Sequence, residues 1–137
     1  MSRNAETLQA LFDAAKAAYD NAYAPYSKFQ VGAAILTPEG EIFSGCNVEN
    51  AAYPQGACAE TGAIAAMARA GRRSIAEILV VGAGEGLCTP CGGCRQRIRE
   101  FAALNAPIHI AGLKGVRASF TLEELLPESF GPEHLQG

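Results

Sequence analysis

Three of the chain's five cysteines crowd into "CTPCGGC", residues 88 to 94. An odd count of closely spaced thiols suits a metal ion in a reducing compartment better than disulfides. Cys91 and Cys94 stand three residues apart at the expected start of a helix, on one face, and can share one ion. Backbone N–H groups without helical partners and the positive end of the helix dipole favour thiolate over thiol there, as zinc ligation requires. Cys58 lies 33 residues earlier at another expected helix start, so two helix N-termini facing one ion would bring three thiolates together. Glu60 follows Cys58 by two positions, roughly 200° around a regular helix. The two side chains converge only beyond the helix tip, which suits an ion sitting off that tip. A carboxylate beside an ion with three protein ligands and an open position is an arrangement for metal-assisted hydrolysis: zinc supplies hydroxide and the carboxylate moves protons.

The same thiols permit a second arrangement. Cys88 with Cys91 and Cys91 with Cys94 are overlapping CxxC pairs, so Cys88 could complete a closed four-cysteine site with Cys58, purely structural and without room for water. Two observations favour the open site: Cys88 precedes the expected cap residue Thr89, and a closed site has no use for Glu60. Cys46 reads as a small apolar residue in a hairpin. His109 alternates with Ile108 and Ile110 on an expected strand, and His134 sits in a polar tail; neither is assigned to metal.

Elements of secondary structure must hold these groups in place. Residues 4 to 23 carry Leu8, Leu11, Phe12, Ala15, Tyr19 and Ala22 at helical spacing, with Asn4 as cap. "FQVGAAIL" (29 to 36) and "EIFSGCNV" (41 to 48) read as a hairpin across "TPEG". "ACAETGAIAAMARA" (57 to 70) is a second helix starting at about Cys58, with Gly71 in the C′ position that ends it. "EILVVGA" (77 to 83) is a strand, and a third helix follows with Thr89 as cap and Pro90 in its first position. "PIHIAGL" and "RASF" are further strands, and Thr121 with Glu124 has the spacing of a capping box for a short last helix. The order predicts an α/β fold in one domain, a mixed five-stranded sheet covered by helices.

Composition narrows the function classes. With 137 residues, 49% of them apolar and 18% charged, the chain suits one soluble domain. A net charge of −3 disfavours polynucleotide binding, which needs a basic stripe. No apolar run is long enough for a membrane span, and "MSRNAETLQALFDAAKAAYD" carries polar residues throughout, so the cytoplasm is the expected location.

With these residues placed, the sequence strongly resembles the cytidine deaminases, of the small homotetrameric type with three cysteine zinc ligands. The zinc deaminase signature of His- or Cys-x-Glu followed by Pro-Cys-x-x-Cys stands here as "CAE" and "PCGGC". The likeness runs through "AYAPYSKFQVGAA" (22 to 34), "GCNVENAAYPQGACAE" (45 to 60), "PCGGCRQ" (90 to 96) and "EELLPESF" (123 to 130), nearly the whole chain. It implies a three-layer α-β-α sandwich, zinc on Cys58, Cys91 and Cys94, and Glu60 as the proton shuttle. It implies further that Phe29 packs at the pyrimidine, Ala59 offers backbone contacts to the base, and Asn47 and Glu49 hydrogen-bond the ribose hydroxyls. Tyr53 and Phe130 resemble residues that reach a neighbouring subunit's site, so the implied homotetramer shares its active sites. The implied reaction is hydrolysis of cytidine and deoxycytidine to uridine and deoxyuridine plus ammonia, in pyrimidine salvage. A related small-molecule deaminase of the blasticidin S type shares "CAE" and "PCxxC", but "NVEN" suits a nucleoside better.

One position departs from the pattern. Many tetrameric members continue the motif as Cys-Ala-Glu-Arg, and this chain has Thr61. Three thiolates leave zinc a formal surplus of negative charge, which weakens its pull on water unless something draws density off the sulfurs. The two helix N-termini are expected to carry most of the compensation, with Thr61 or an arginine from elsewhere in the chain, Arg95 being the one singled out, as an added donor.

Overall fold

The computed structural model describes residues 2–136, the side chains of residues 2–4 excepted. Helix α1 (Ser2–Asp20) is followed by strands β1 (Val31–Leu36) and β2 (Ile42–Cys46), helix α2 (Ala59–Arg69) and strand β3 (Glu77–Gly82). Helix α3 (Gly92–Phe101), strands β4 (Pro107–Gly112) and β5 (Gly115–Thr121) and the one-turn helix α4 (Leu122–Leu125) complete the order. The strands form the expected mixed sheet, in the order β2-β1-β3-β4-β5, with β3 and β4 parallel and the other neighbours antiparallel.

Alternation along the strands divides the core into two halves. Ala33, Ile35, Ile78, Val80, Ile108 and Ile110 face one way, onto Ala59, Ala63 and Met67 of α2 and Ile98 of α3. Ala34, Leu36, Leu79, Val81 and Ala111 face the other way, onto Leu11 and Ala15 of α1. A sheet covered on both faces needs near-continuous apolar strands, which "VGAAIL" and "EILVVG" supply. The result is the expected three-layer sandwich, with α2 and α3 side by side on one face.

Several boundaries differ from the sequence-based expectation, each for a local reason. Helix α1 begins at Ser2, so Asn4 falls inside it instead of capping it, and the Asn4 side chain lies outside the described residues. The hairpin ladder ends at Gly32 and Cys46 because the Asn47 side chain takes over as partner: its Oδ1 accepts from Val31 N at 2.8 Å and its Nδ2 donates to Phe29 O at 2.8 Å. Helix α3 starts at Gly92 with Cys91 as N-cap, not at Pro90 with Thr89. The Thr89 hydroxyl accepts from Arg95 Nη2 at 3.1 Å and the Pro90 carbonyl from Arg95 Nε at 2.6 Å, so both residues are tied to an arginine of the helix that follows. Helix α1 ends at Asp20, short of the expected residue 23, and α2 opens at Ala59 with Cys58 as its N-cap; Gly71 follows α2 with φ +88°, and Thr121 and Glu124 form the capping box, both as expected.

Gly45 sets the distance between β2 and α2. A Cβ there would stand 2.7 Å from Ala59 O, inside van der Waals contact with helix backbone that has no side-chain freedom to yield. Gly45→Ala is therefore expected to cost about 1 to 3 kcal/mol, as overpacking does, and to lower the apparent Tm by several degrees in thermal denaturation. Because the displaced segment carries Cys58 and Glu60, metal retention should fall with it.

Candidate active site

The two helices on one face of the sheet bring their first turns together. Cys58 is the N-cap of α2 and Cys91 the N-cap of α3, while Cys94 is in the first turn of α3 and fully buried. The Sγ atoms of these three cysteines all lie within 4.8 Å of one another. A tetrahedral zinc ion with bonds of about 2.3 Å sets its sulfurs about 3.8 Å apart, so the cluster needs little closing to hold one. Cys88 is no member of this cluster, and neither is Cys46. A side chain added at Gly82 would have its Cβ 2.9 Å from Cys88 Sγ and 3.4 Å from Phe29 Cζ, so the end of β3 is bare where these two side chains pack.

Without a cation, ionising two of the three gathered sulfurs is disfavoured. Burial pushes the Cys94 and Cys58 thiols up from their ordinary range, and the Glu60 carboxylate adds to the push. The Cys94 backbone holds the Cys91 thiol down. A divalent cation reverses this balance, since a coordinating thiol is deprotonated outright. Chemistry and spacing of the donor set thus fit zinc.

Glu60 lies in the first turn of α2 and is 4% exposed. Burial pushes its carboxyl up, and the Arg97 guanidinium pulls weakly the other way. It lines a cavity of about 180 Å³ together with Cys58, Cys91, Ala59 and Asn47. A second hollow of about 360 Å³ is lined by Tyr26, Ser27, Glu49 and Tyr53. Glu49 accepts from Tyr26 N at 2.9 Å, from Ser27 N at 3.1 Å and from the Ser27 hydroxyl, and that hydroxyl is the chief reason its pKa lies below the ordinary carboxylate range.

The remaining candidates are placed as follows. Phe29 is 44% exposed and is no core aromatic. Tyr53 is 79% exposed, edge-to-face with Tyr26 at 6.2 Å between ring centroids. Phe130 is stacked on His134 and lines neither cavity. His109 is bonded to Ser119 and Glu77 across the sheet, consistent with a structural role. The two expected thiolate donors make no bond to sulfur. Thr61 Oγ1 is buried without a partner among the described residues, and Arg95 is engaged by Pro90 O, Leu125 O at 2.7 Å and Thr89 Oγ1. The donor that does reach a thiol is an arginine from elsewhere in the chain, but Arg97 and not Arg95. Its Nη1 stands 3.9 Å from Cys94 Sγ. The signal was its place three residues after Cys94, on the same helix face.

Comparisons with known proteins agree with this geometry. The family model of the cytidine and deoxycytidylate deaminase zinc-binding region matches residues 5–109. A cytidine deaminase of Sporosarcina psychrophila is 43% identical over 93% of this chain and 94% of its own length. One of Halalkalibacterium halodurans is 39% identical over 93% of this chain and 96% of its own length. Among solved structures, the cytidine deaminase of Burkholderia pseudomallei superposes with a TM-score of 0.83 at 44% identity, over 89% of this chain and 98% of that one. That of Mycobacterium tuberculosis gives 0.76 at 35% identity, over 90% and 96%.

Proposed function

This chain belongs to the cytidine and deoxycytidylate deaminase family, and we propose that it hydrolyses cytidine and deoxycytidine to uridine and deoxyuridine, releasing ammonia, in pyrimidine salvage. The observation that carries this reading is the cavity in which buried Glu60 lies with Cys58 and Cys91 at two helix N-termini. Cys58, Cys91 and Cys94 are the residues that would hold zinc (Zn²⁺). When bound, zinc supplies the Lewis acidity that makes water a nucleophile near neutral pH. Glu60 takes one proton from the attacking water and passes it to N3 of the pyrimidine, then takes the second from the hydroxyl added at C4 and gives it to the amino group, which leaves as ammonia as the C4 carbonyl forms. Its burial limits exchange of that proton with solvent.

The other residues position the nucleoside. Ala59 offers its backbone to the base and Phe29 packs on the ring. Asn47 enters that role already fixed by Val31 and Phe29, with one N–H and one lone pair left for a ribose hydroxyl. Glu49, held by Ser27, accepts from a second hydroxyl.

As a homotetramer of single-domain chains in the cytoplasm, the protein would use Tyr53 and Phe130 to complete a neighbour's site. Their exposure, 79% and 55%, is large for aromatics and favours that use. Among the described residues no helix is long and apolar enough to cross a membrane, and the net charge of −3 counts against nucleic acid.

Loss of cytosine ultraviolet absorbance on mixing zinc-loaded protein with cytidine tests the activity, with one ammonia released per uridine. Absence of turnover with zinc demonstrably bound sinks the cytidine reading, and turnover of an unrelated aminopyrimidine instead would replace it. Sedimentation should give the mass of four chains, and Tyr53→Ala should raise KM several-fold with a smaller change in kcat.

A further inference from the structure

Three thiolates on a divalent ion carry one negative charge in excess, and such a buried excess calls for a donor. The family pattern supplies an arginine from the α2 position that Thr61 holds here. Thr61 and Arg97 line a common hollow of about 330 Å³ between α2 and α3. On the α2 side of it stands a buried hydroxyl that bonds nothing among the described residues. On the α3 side stands a guanidinium that, among the described residues, bonds no oxygen and forms no salt bridge, yet reaches Cys94 Sγ at 3.9 Å. Helical side chains lean toward the N-terminus, and Arg97 folds back over the first turn of α3. A Cβ at Gly93 would stand 3.3 Å from Arg97 Nη1, so the bare turn at Gly92 and Gly93 leaves its path open. Arg95, on another face of α3, is held by three oxygens and is not free to move.

We propose that Arg97 is the positioning residue that offsets the thiolate charge, delivering from α3 the charge-assisted donor that α2 lacks at Thr61. The inference rests on zinc binding by Cys58, Cys91 and Cys94. A guanidinium opposite a ligating thiolate makes a stronger bond than to a neutral thiol, and its positive charge also acts on Glu60 nearby. Arg97 touches no substrate, so its effect passes through the Cys94 sulfur. The hollow beside Thr61 has room for an arginine in exchange, and the two positions are interchangeable sources of one donor.

Metal affinity by chelator competition, and the sulfur-to-metal charge-transfer absorption of the cobalt-substituted protein, test this without reference to turnover. Arg97→Met should weaken zinc binding about 10- to 100-fold, the usual cost of losing an outer-shell partner, and move the charge-transfer band to lower energy as the sulfur becomes a better electron donor. Arg97→Lys should retain part of the affinity that Arg97→Met loses. Thr61→Arg added to Arg97→Met should restore both affinity and band. Unchanged affinity and spectrum in Arg97→Met overturn the proposal, as does a loss that neither the conservative Arg97→Lys change nor the second-site arginine repairs, which marks packing alone. A wild-type protein that binds no cobalt or zinc overturns the zinc reading itself and is thereby distinguished from failure of the Arg97 role.

Discussion

Glu60→Gln lowers cytidine turnover by about 10⁴-fold, the upper end of what a positioned acid or base contributes, while the protein keeps one zinc per chain. The upper end applies because one carboxylate serves every proton transfer in the proposed sequence: removal from water, delivery to N3, assistance to the leaving amine. Glutamine keeps the shape of the side chain and one acceptor oxygen while exchanging the other for an N–H donor, so the cavity around this nearly fully buried position should not collapse. It cannot accept and release the proton. Nucleoside affinity should change little, which places the loss in kcat and marks an interaction made in the transition state. Zinc content by metal analysis and kcat by absorbance are the two readouts. A variant that keeps its zinc and more than a tenth of wild-type turnover would falsify the shuttle role.

What the sequence discloses follows the range of the forces involved. Cys58, Glu60, Cys91 and Cys94 are legible because each sits in the first turn or cap of a helix, and a helix start is written in a few neighbouring residues. The strands are legible for the same reason, as short apolar runs of alternating facing. The misplaced cap at Thr89 shows the limit. Pro90 is a good first helical residue by local rule, but Arg95 claims the Thr89 hydroxyl and the Pro90 carbonyl, and the cap moves to Cys91. The strand ends at Val31 and Cys46 depend likewise on a side chain, Asn47, acting as backbone. Strand order and the placing of Thr61 and Arg97 on one hollow between two helices are set by tertiary packing alone, and no local pattern carries them.

Cys94→Ser and Cys88→Ser should part company completely. Apparent binding free energies of about 10 to 16 kcal/mol for structural zinc, spread over four ligands, give roughly 2.5 to 4 kcal/mol each, or about 70- to 900-fold in affinity on losing one. Cys94 is fully buried in the cluster, so its loss also leaves a buried hydroxyl beside two thiols without a cation to balance them. The serine variant should purify without zinc, show no turnover, and unfold at lower temperature by the stabilisation that bound metal contributes. Cys88 lines the same cavity but stands outside the sulfur cluster, against the bare end of β3. Its serine variant should keep one zinc per chain and turn over within a few-fold of wild type, at a stability cost of about 1 kcal/mol. If Cys88→Ser instead loses zinc as Cys94→Ser does, the ion has four thiolate ligands and no open position for water, and hydrolysis at that site is excluded.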